Sequence, residues 1–262
     1  MTHKTGNGAY LETVDWTEVD HVLLDMDGTL LDLAFDNDFW GLRIHEKYAS
    51  IHDISVEQTV AKFEPLFKRV AGTLNWYSTD FWSQKFGYSI IEHSRTYASG
   101  IRWLPFAKEF LHALRDADVR STIVTNAHPD IVRLKHEITG ITDLVDRTIS
   151  SHTLGHAKES PNFWRKLQDE LKFSSGSTLF FDDSPAVLSA AIDFGIERSI
   201  AICHPDSTRP KRIPLSSFAI NDFEQLNAAY AKAPLANGSF TRRQVAVGGP
   251  LFQNTVDCQN SH

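Results

Sequence analysis

The chain predicts an α/β protein, with a parallel sheet covered by helices on both faces and a block of helices inserted after the first strand. Three observations carry this. Apolar runs end abruptly in acidic residues, as in Val22-Leu23-Leu24-Asp25 and Leu179-Phe180-Phe181-Asp182. After residue 100, such runs alternate with amphipathic stretches, several of which open on Pro. Between the first run and residue 100 the apolar residues recur at helical spacing only. Strands alternating with helices imply parallel pairing, because each crossover needs a helix to bring the chain back.

Taken in order, residues 1–18 are polar and read as a loose lead-in. The first strand is expected over His21–Asp25. From Asp36 to Ser99, Phe39, Trp40, Ile44 and Tyr48, then Val60, Phe63, Leu66, Phe67 and Val70, follow a helical period. Gly72, Asn75, Gly87 and Gly100 are the expected breaks. A helix follows over Pro105–Ala117, with Phe106, Phe110, Leu111 and Leu114 facing inward and Pro at its first turn. The remaining elements are a strand over Ser121–Val124, a helix over Pro129–Thr139, a strand over Leu144–Ile149 and a helix over Pro161–Leu171. A strand over Thr178–Phe181, a helix over Pro185–Phe194, a strand over Ser199–Cys203 and a helix over Phe223–Ala231 complete the order. Ala233–His262 is rich in Asn, Gly, Gln and Ser and reads as a tail with little structure. The expected division is a core of 19–34 and 101–232, a helical cap of 35–100, and poorly structured tails of 1–18 and 233–262.

The 262 residues suffice for one large domain or a core with an insert, and the hydrophobic fraction of 42% is that of an ordinary globular chain. A formal charge of −7 argues against a general nucleic-acid binder, whose footprint is basic. It leaves a small anionic substrate open, because a local Lys and a metal ion can reverse the field inside a cleft. The two cysteines, Cys203 and Cys258, form no Cys-x-x-Cys pair. With no signal-like apolar stretch in Met1–Gly8 and no run of membrane-spanning length, the expectation is a cytoplasmic protein with no membrane partner.

In open parallel sheets, ligands bind beyond the carboxyl ends of the strands. The pattern places Asp25 and Asp27, Thr125 and Asn126, and Asp182 and Asp183 at three such ends, with Lys158 after a fourth strand in Gly155-His156-Ala157-Lys158-Glu159-Ser160-Pro161. Each alone has a plain structural explanation: an acidic loop, a turn, a solvent-facing Lys, an N-cap before Pro. All four in chain order, each at a strand end, are a specific signal. The chain resembles the haloacid dehalogenase-like phosphotransferases over roughly Val19–Ala231. The resemblance implies a Rossmann-like core with a helical cap after the first strand. It further implies Asp25 as nucleophile, Asp27 as general acid/base, Thr125 and Lys158 as the next two catalytic positions, Asp182 and Asp183 as the acidic pair, and Mg²⁺ as cofactor.

The residue chemistry supports these roles. A phosphate monoester and a carboxylate repel, and Mg²⁺ held by Asp25 and Asp182, with Asp27 and Asp183 completing the acidic set, would screen them. Lys158 adds a second positive charge. Thr125 and Asn126, with backbone N–H groups near Gly28 and Ala127, would donate to phosphoryl oxygens. Attack by Asp25 splits one hard displacement into two easier ones. Carbon–halogen cleavage needs neither a leaving-group acid nor a metal, so Asp27 and the Asp182/Asp183 pair point to phosphoryl transfer. His128, His152 and His156 invite zinc, but a carboxylate-rich site suits Mg²⁺ better.

A narrower resemblance lies in Leu24–Asn37, Thr73–Tyr77, Thr125–Pro129 and Phe181–Ser184, which look like the bacterial GMP/IMP nucleotidases. It implies hydrolysis of purine nucleoside 5′-monophosphates, with Asn37, Asn75 and Trp76 as expected substrate contacts in the insert. Phosphoglycolate or sugar phosphates are the alternative substrates within the same chemistry. A non-catalytic binding module on the same fold is the alternative of another class.

Overall fold

Unbroken apolar runs become strands because both faces of a parallel sheet are covered. The structure, a computed structural model, describes residues 18–212 and 218–223. Its strands are β1 (His21–Leu24), β2 (Arg120–Thr125), β3 (Arg147–Ser150), β4 (Thr178–Asp182), β5 (Ser199–Ile202) and β6 (Ala219–Ile220). All pairs are parallel, in the order β3-β2-β1-β4-β5-β6. Alternate residues feed opposite faces. Val22, Leu24, Leu179 and Phe181 join one buried cluster, while Leu23, Val124 and Phe180 join the other.

After β1 the chain leaves the sheet. Helix α1 (Ala34–Asp38) continues through a π turn at Phe39–Arg43 into α2 (Ile44–His52). Helices α3 (Val56–Val70), α4 (Leu74–Tyr77), α5 (Thr79–Phe86) and α6 (Ile90–Arg95) follow. A reciprocal capping box between Ser55 and Gln58 starts α3, and Gly87 in the left-handed region ends α5. These helices bury a core of their own: Phe39, Ile44, Tyr48, Phe63, Val70, Trp82, Phe86 and Ile90. The two crossings between insert and sheet are laced together. Asp32 N–H donates to Arg102 O and Leu104 N–H to Leu30 O, both at 2.9 Å, and Arg102 Nε meets Asp32 Oδ2 at 2.8 Å.

Helices α7 (Ala107–Asp116), α8 (Pro129–Thr139), α9 (Ser151–Leu154), α10 (Pro161–Leu171) and α11 (Pro185–Phe194) cover the sheet. Pro at N1 of α8, α10 and α11 fixes their starts where the sequence places them. Other expectations are corrected. Phe106 does not face inward; it precedes α7 in the left-handed region (φ 60°) and is 41% exposed. The strand expected from Leu144 begins at Arg147, because Ile141–Leu144 forms a 3₁₀ turn. Val60 is exposed rather than packed in the α3 stripe, and Asn75 sits inside α4 rather than at a break. The two-residue β6 has no counterpart in the sequence reading. Beyond Phe223, the expected Phe223–Ala231 helix lies outside the described residues, as does the Ala233–His262 tail. Among the described residues, no helix is long and apolar enough to cross a membrane.

Candidate active site

The strand order reverses at β1, whose neighbours are β2 and β4, and a crevice opens at such a switch point. Leu24 is in register with Ile123 on one side and Phe181 on the other. The next residue on each strand is therefore delivered to one rim: Asp25, Val124 and Asp182. Asp25 N–H donates to Phe181 O at 2.9 Å, which fixes the carboxylate beside β4.

Lys158 arrives from the loop between α9 and α10 and is 2% exposed. Its Nζ donates to Asp25 Oδ1 (2.5 Å), Asp182 Oδ2 (2.7 Å) and Val124 O (3.0 Å), so all three N–H donors are used. Burial opposes the ammonium, but Asp182 and Asp25 outweigh it and raise its pKa. Burial pushes Asp25 up to about 7 against the pull of Lys158, with Asp182 and Asp27 adding to the rise. Burial likewise raises Asp182 to about 6 and Asp183 to about 7. Four buried acidic and basic groups thus carry an excess of negative charge that a cation would relieve.

Carboxylate oxygens of Asp25, Asp182 and Asp183 lie within 4.8 Å of one another, an all-oxygen donor set suited to a hard divalent ion. The turn that admits Asp183 depends on Gly28. Its φ is +82°, and a Cβ there would stand 2.7 Å from Asp183 Cγ. The residues therefore fit a hard divalent metal ion. Asp27 is corrected as a metal-ligating carboxylate. The chain turns immediately after β1, with Leu30 and Leu31 N–H both bonded to Met26 O, and Asp27 Oδ1 meets Lys135 Nζ at 2.6 Å instead of joining the acidic trio.

The expected phosphate contacts divide. Thr125 Oγ1 accepts from Ala127 N–H at 3.0 Å, which leaves the hydroxyl proton to donate into the cavity. That same bond occupies the Ala127 N–H, and the Gly28 N–H is bonded to Leu31 O at 2.7 Å. Both N–H expectations are corrected, since neither donor points unengaged at a substrate. Asn126 is a scaffold: its Oδ1 accepts from Lys158 N–H (2.9 Å) and its Nδ2 donates to Glu159 Oε2 (3.0 Å). Histidine 128 caps the start of α8 and its Nδ1 lies 2.8 Å from Thr79 Oγ1.

A cavity of about 480 Å³ runs from Asp25, Asp27, Thr125 and Lys158 to an aromatic wall of Trp40, Phe67, Trp76 and Tyr77 supplied by the insert. Asn37 lines it, with Nδ2 donating to Asp206 Oδ2 at 2.6 Å. Asn75 does not; it is exposed on α4 and is corrected as a substrate contact. Tyr77 Oη donates to Glu159 Oε1 at 2.5 Å, a bond from the insert to the residue after Lys158.

The sequence reading missed Lys135 and Glu159, and Asp36 and Arg209, which line the cavity. Lys135 had a signal. It stands four residues after Ile131 and one after Leu134, both buried, and so falls on the inward stripe of α8.

Residues 19–195 match the model of the haloacid dehalogenase-like hydrolases. The chain is 34% identical over 213 residues to GMP/IMP nucleotidase YrfG of Escherichia coli (strain K12), spanning 81% of this chain and 96% of that protein. The same values hold for GMP/IMP nucleotidase YrfG of Shigella flexneri. In fold it is similar to a HAD phosphatase from Thermococcus onnurineus, with a TM-score of 0.67 and 20% identity over 80% of this chain and 97% of that one. It is also similar to the L-2-haloacid dehalogenase of Xanthobacter autotrophicus, with a TM-score of 0.55 and 16% identity over 82% of this chain and the whole of that one.

Proposed function

This chain belongs to the haloacid dehalogenase-like hydrolases, and on that premise we propose that it hydrolyses purine nucleoside 5′-monophosphates in the cytoplasm, with residues 35–100 acting as the cap over the substrate. The observation that carries the reading is the single cavity joining the Asp25–Lys158–Asp182 cluster to the aromatic wall of Trp40, Phe67, Trp76 and Tyr77. The phosphate sits at the charged end and the flat base against the rings, where stacking and apolar burial hold it. The 34% identity to a GMP/IMP nucleotidase supports the choice of purine monophosphates.

Asp25 attacks phosphorus, forming an aspartyl-phosphate and breaking the bond to the 5′-oxygen. Asp27 gives its proton to that oxygen as the nucleoside departs. Asp27 then takes a proton from water as the water attacks the aspartyl-phosphate, which returns Asp25 and releases phosphate. Lys158 holds Asp25 in place and offers positive charge beside the transferring group, and the Thr125 hydroxyl donates to a phosphoryl oxygen. Asp25, Asp182 and Asp183 would hold Mg²⁺, which supplies charge neutralisation between nucleophile and phosphate.

The test is a panel of phosphate esters assayed with Mg²⁺. GMP and IMP are expected to give the highest kcat/KM. Phosphoglycolate or sugar phosphates turned over equally well or better would overturn the nucleotide assignment. Absence of hydrolysis across the panel would leave the non-catalytic binding module.

A further inference from the structure

A second buried ammonium stands two residues beyond the nucleophile, on Asp27. Lys135, 1% exposed, reaches from α8 to Asp27 Oδ1 at 2.6 Å and to Asp36 Oδ1 and Oδ2 at 2.8 and 2.7 Å. Its Nζ also lies 5.5 Å from the centre of the Phe35 ring. Asp27 belongs to the turn after β1, whereas Asp36 belongs to α1, the first helix of the insert. One cation therefore bridges the turn that carries the nucleophile and the root of the insert.

Stability does not account for this arrangement. Two buried carboxylates on one ammonium gain little over apolar side chains of the same volume, because desolvation offsets most of the attraction. Geometry gives it a use. Asp27 follows a strand end and pairs with Leu31 in one isolated bridge, with no extended ladder to orient its side chain. A proton donor must be within hydrogen-bond reach of the leaving oxygen, and small misplacement is costly in rate.

We propose that Lys135 is a positioning residue for Asp27, anchored by Asp36, and that it holds the Asp27 carboxylate with Oδ1 on the ammonium and Oδ2 turned to the cavity. This rests on the reading of Asp27 as the leaving-group acid. It adds a link to the substrate: α1 and the π turn after it also carry Asn37 and Trp40, which line the cavity. A base seated on those residues bears on the helix that anchors Lys135.

The test compares GMP, whose alkoxide needs a proton to leave, with p-nitrophenyl phosphate, whose nitrophenolate does not. The Lys135→Met/Asp36→Asn double variant removes one charge of each sign, so the net charge of the core is unchanged while Asp27 loses its ammonium. With Mg²⁺, its kcat on GMP is expected to fall about 10- to 100-fold with KM changed by less than about threefold. On p-nitrophenyl phosphate the first-turnover release of nitrophenolate, which needs no proton, should stay within about threefold of wild type, whereas later turnovers share the loss because Asp27 also activates water. Lys135→Arg, which keeps the cation, should recover part of the GMP rate. Equal losses in the first turnover of both substrates, no loss on GMP, or failure of both variants to fold would overturn the proposal, since a positioning role leaves the rest of the molecule standing. Asp27→Asn measured alongside separates the two readings. If that variant lacks the leaving-group contrast, the acid/base role of Asp27 is wrong, whatever Lys135 does.

Discussion

Replacing Gly28 with Ala perturbs the site through Asp183. Two costs follow from the geometry. An L-residue at φ +82° sits in the left-handed region, which costs roughly 1–2 kcal/mol relative to Gly. The new methyl would also stand 2.7 Å from Asp183 Cγ and 2.9 Å from each of its oxygens, where ordinary contact begins at 3.4 Å. The carboxylate must therefore retreat by about 0.7 Å at Cγ. It has little freedom to do so, because Asp183 Oδ2 is held by Arg212 Nη1 at 3.0 Å and the group is largely buried. A displacement of that size removes one oxygen from the trio it forms with Asp25 and Asp182. The Mg²⁺ concentration for half-maximal hydrolysis should rise on the order of 10- to 100-fold. The melting temperature in EDTA should fall by roughly 2–8 °C, at about 2–4 °C per kcal/mol for a chain of this size. Saturating Mg²⁺ should restore most of the rate, because Asp25, Asp27 and Lys158 are untouched. A variant that melts with wild type and needs no more Mg²⁺ would refute the role given to the turn.

Asp25→Asn should abolish turnover on every ester while its circular dichroism matches wild type; residual hydrolysis near the wild-type rate would remove Asp25 as nucleophile. Lys158→Met leaves Asp25 and Asp182 buried without their cation, and breaking such a pair costs about 3–5 kcal/mol. The loss, read by denaturant unfolding in EDTA, should shrink when Mg²⁺ is added, and equal losses in both conditions would count against a shared ion. His21, bonded to Thr122 Oγ1 at 2.8 Å, is held down to about 4 by burial and by Arg120. Between pH 6.5 and 4 the unfolded chain binds a proton there that the folded protein does not. Its contribution is therefore complete above pH 6.5 and falls by about 1.4 kcal/mol per pH unit on acidification, roughly 3 kcal/mol in all. His21→Gln should flatten that part of the stability profile, and an unchanged slope would refute the assignment.

Local signals set how much could be read in advance. Pro129, Pro161 and Pro185 mark their helix starts because a ring-locked φ and a missing N–H suit the first turn alone. Asp25, Lys158 and Asp182 were legible because each ends or follows a strand of a parallel sheet, and such ends share one rim. Lys135 lies on the inward stripe of α8, but a lysine in a helix ordinarily faces water, so its position alone does not mark it as a site residue. Its partners, Asp27 and Asp36, are 108 and 99 residues away in sequence, and only the tertiary fold brings them together. Gly28 was read as an N–H donor, whereas its observed roles are a positive φ and the room left by a missing side chain. Phe106 was misread because its apolar side chain fits the α7 stripe, while its backbone sits in the left-handed region just before the helix. The sequence pattern shows the stripe and not the dihedral.

The central place of β1 also governs how the molecule comes into being. Among the described strands the one that carries Asp25 leaves the ribosome first, both its neighbours are made far later, and the lysine that grips Asp25 follows it by 133 residues. Closing loops of that length is entropically slow, and no earlier local contact substitutes for it. A nascent chain stopped before β4 holds its reactive aspartate without the sheet, the ammonium or the acidic pair around it. Phosphate chemistry is thereby withheld until β4 has been made, because the sheet and the acidic pair around Asp25 come with it.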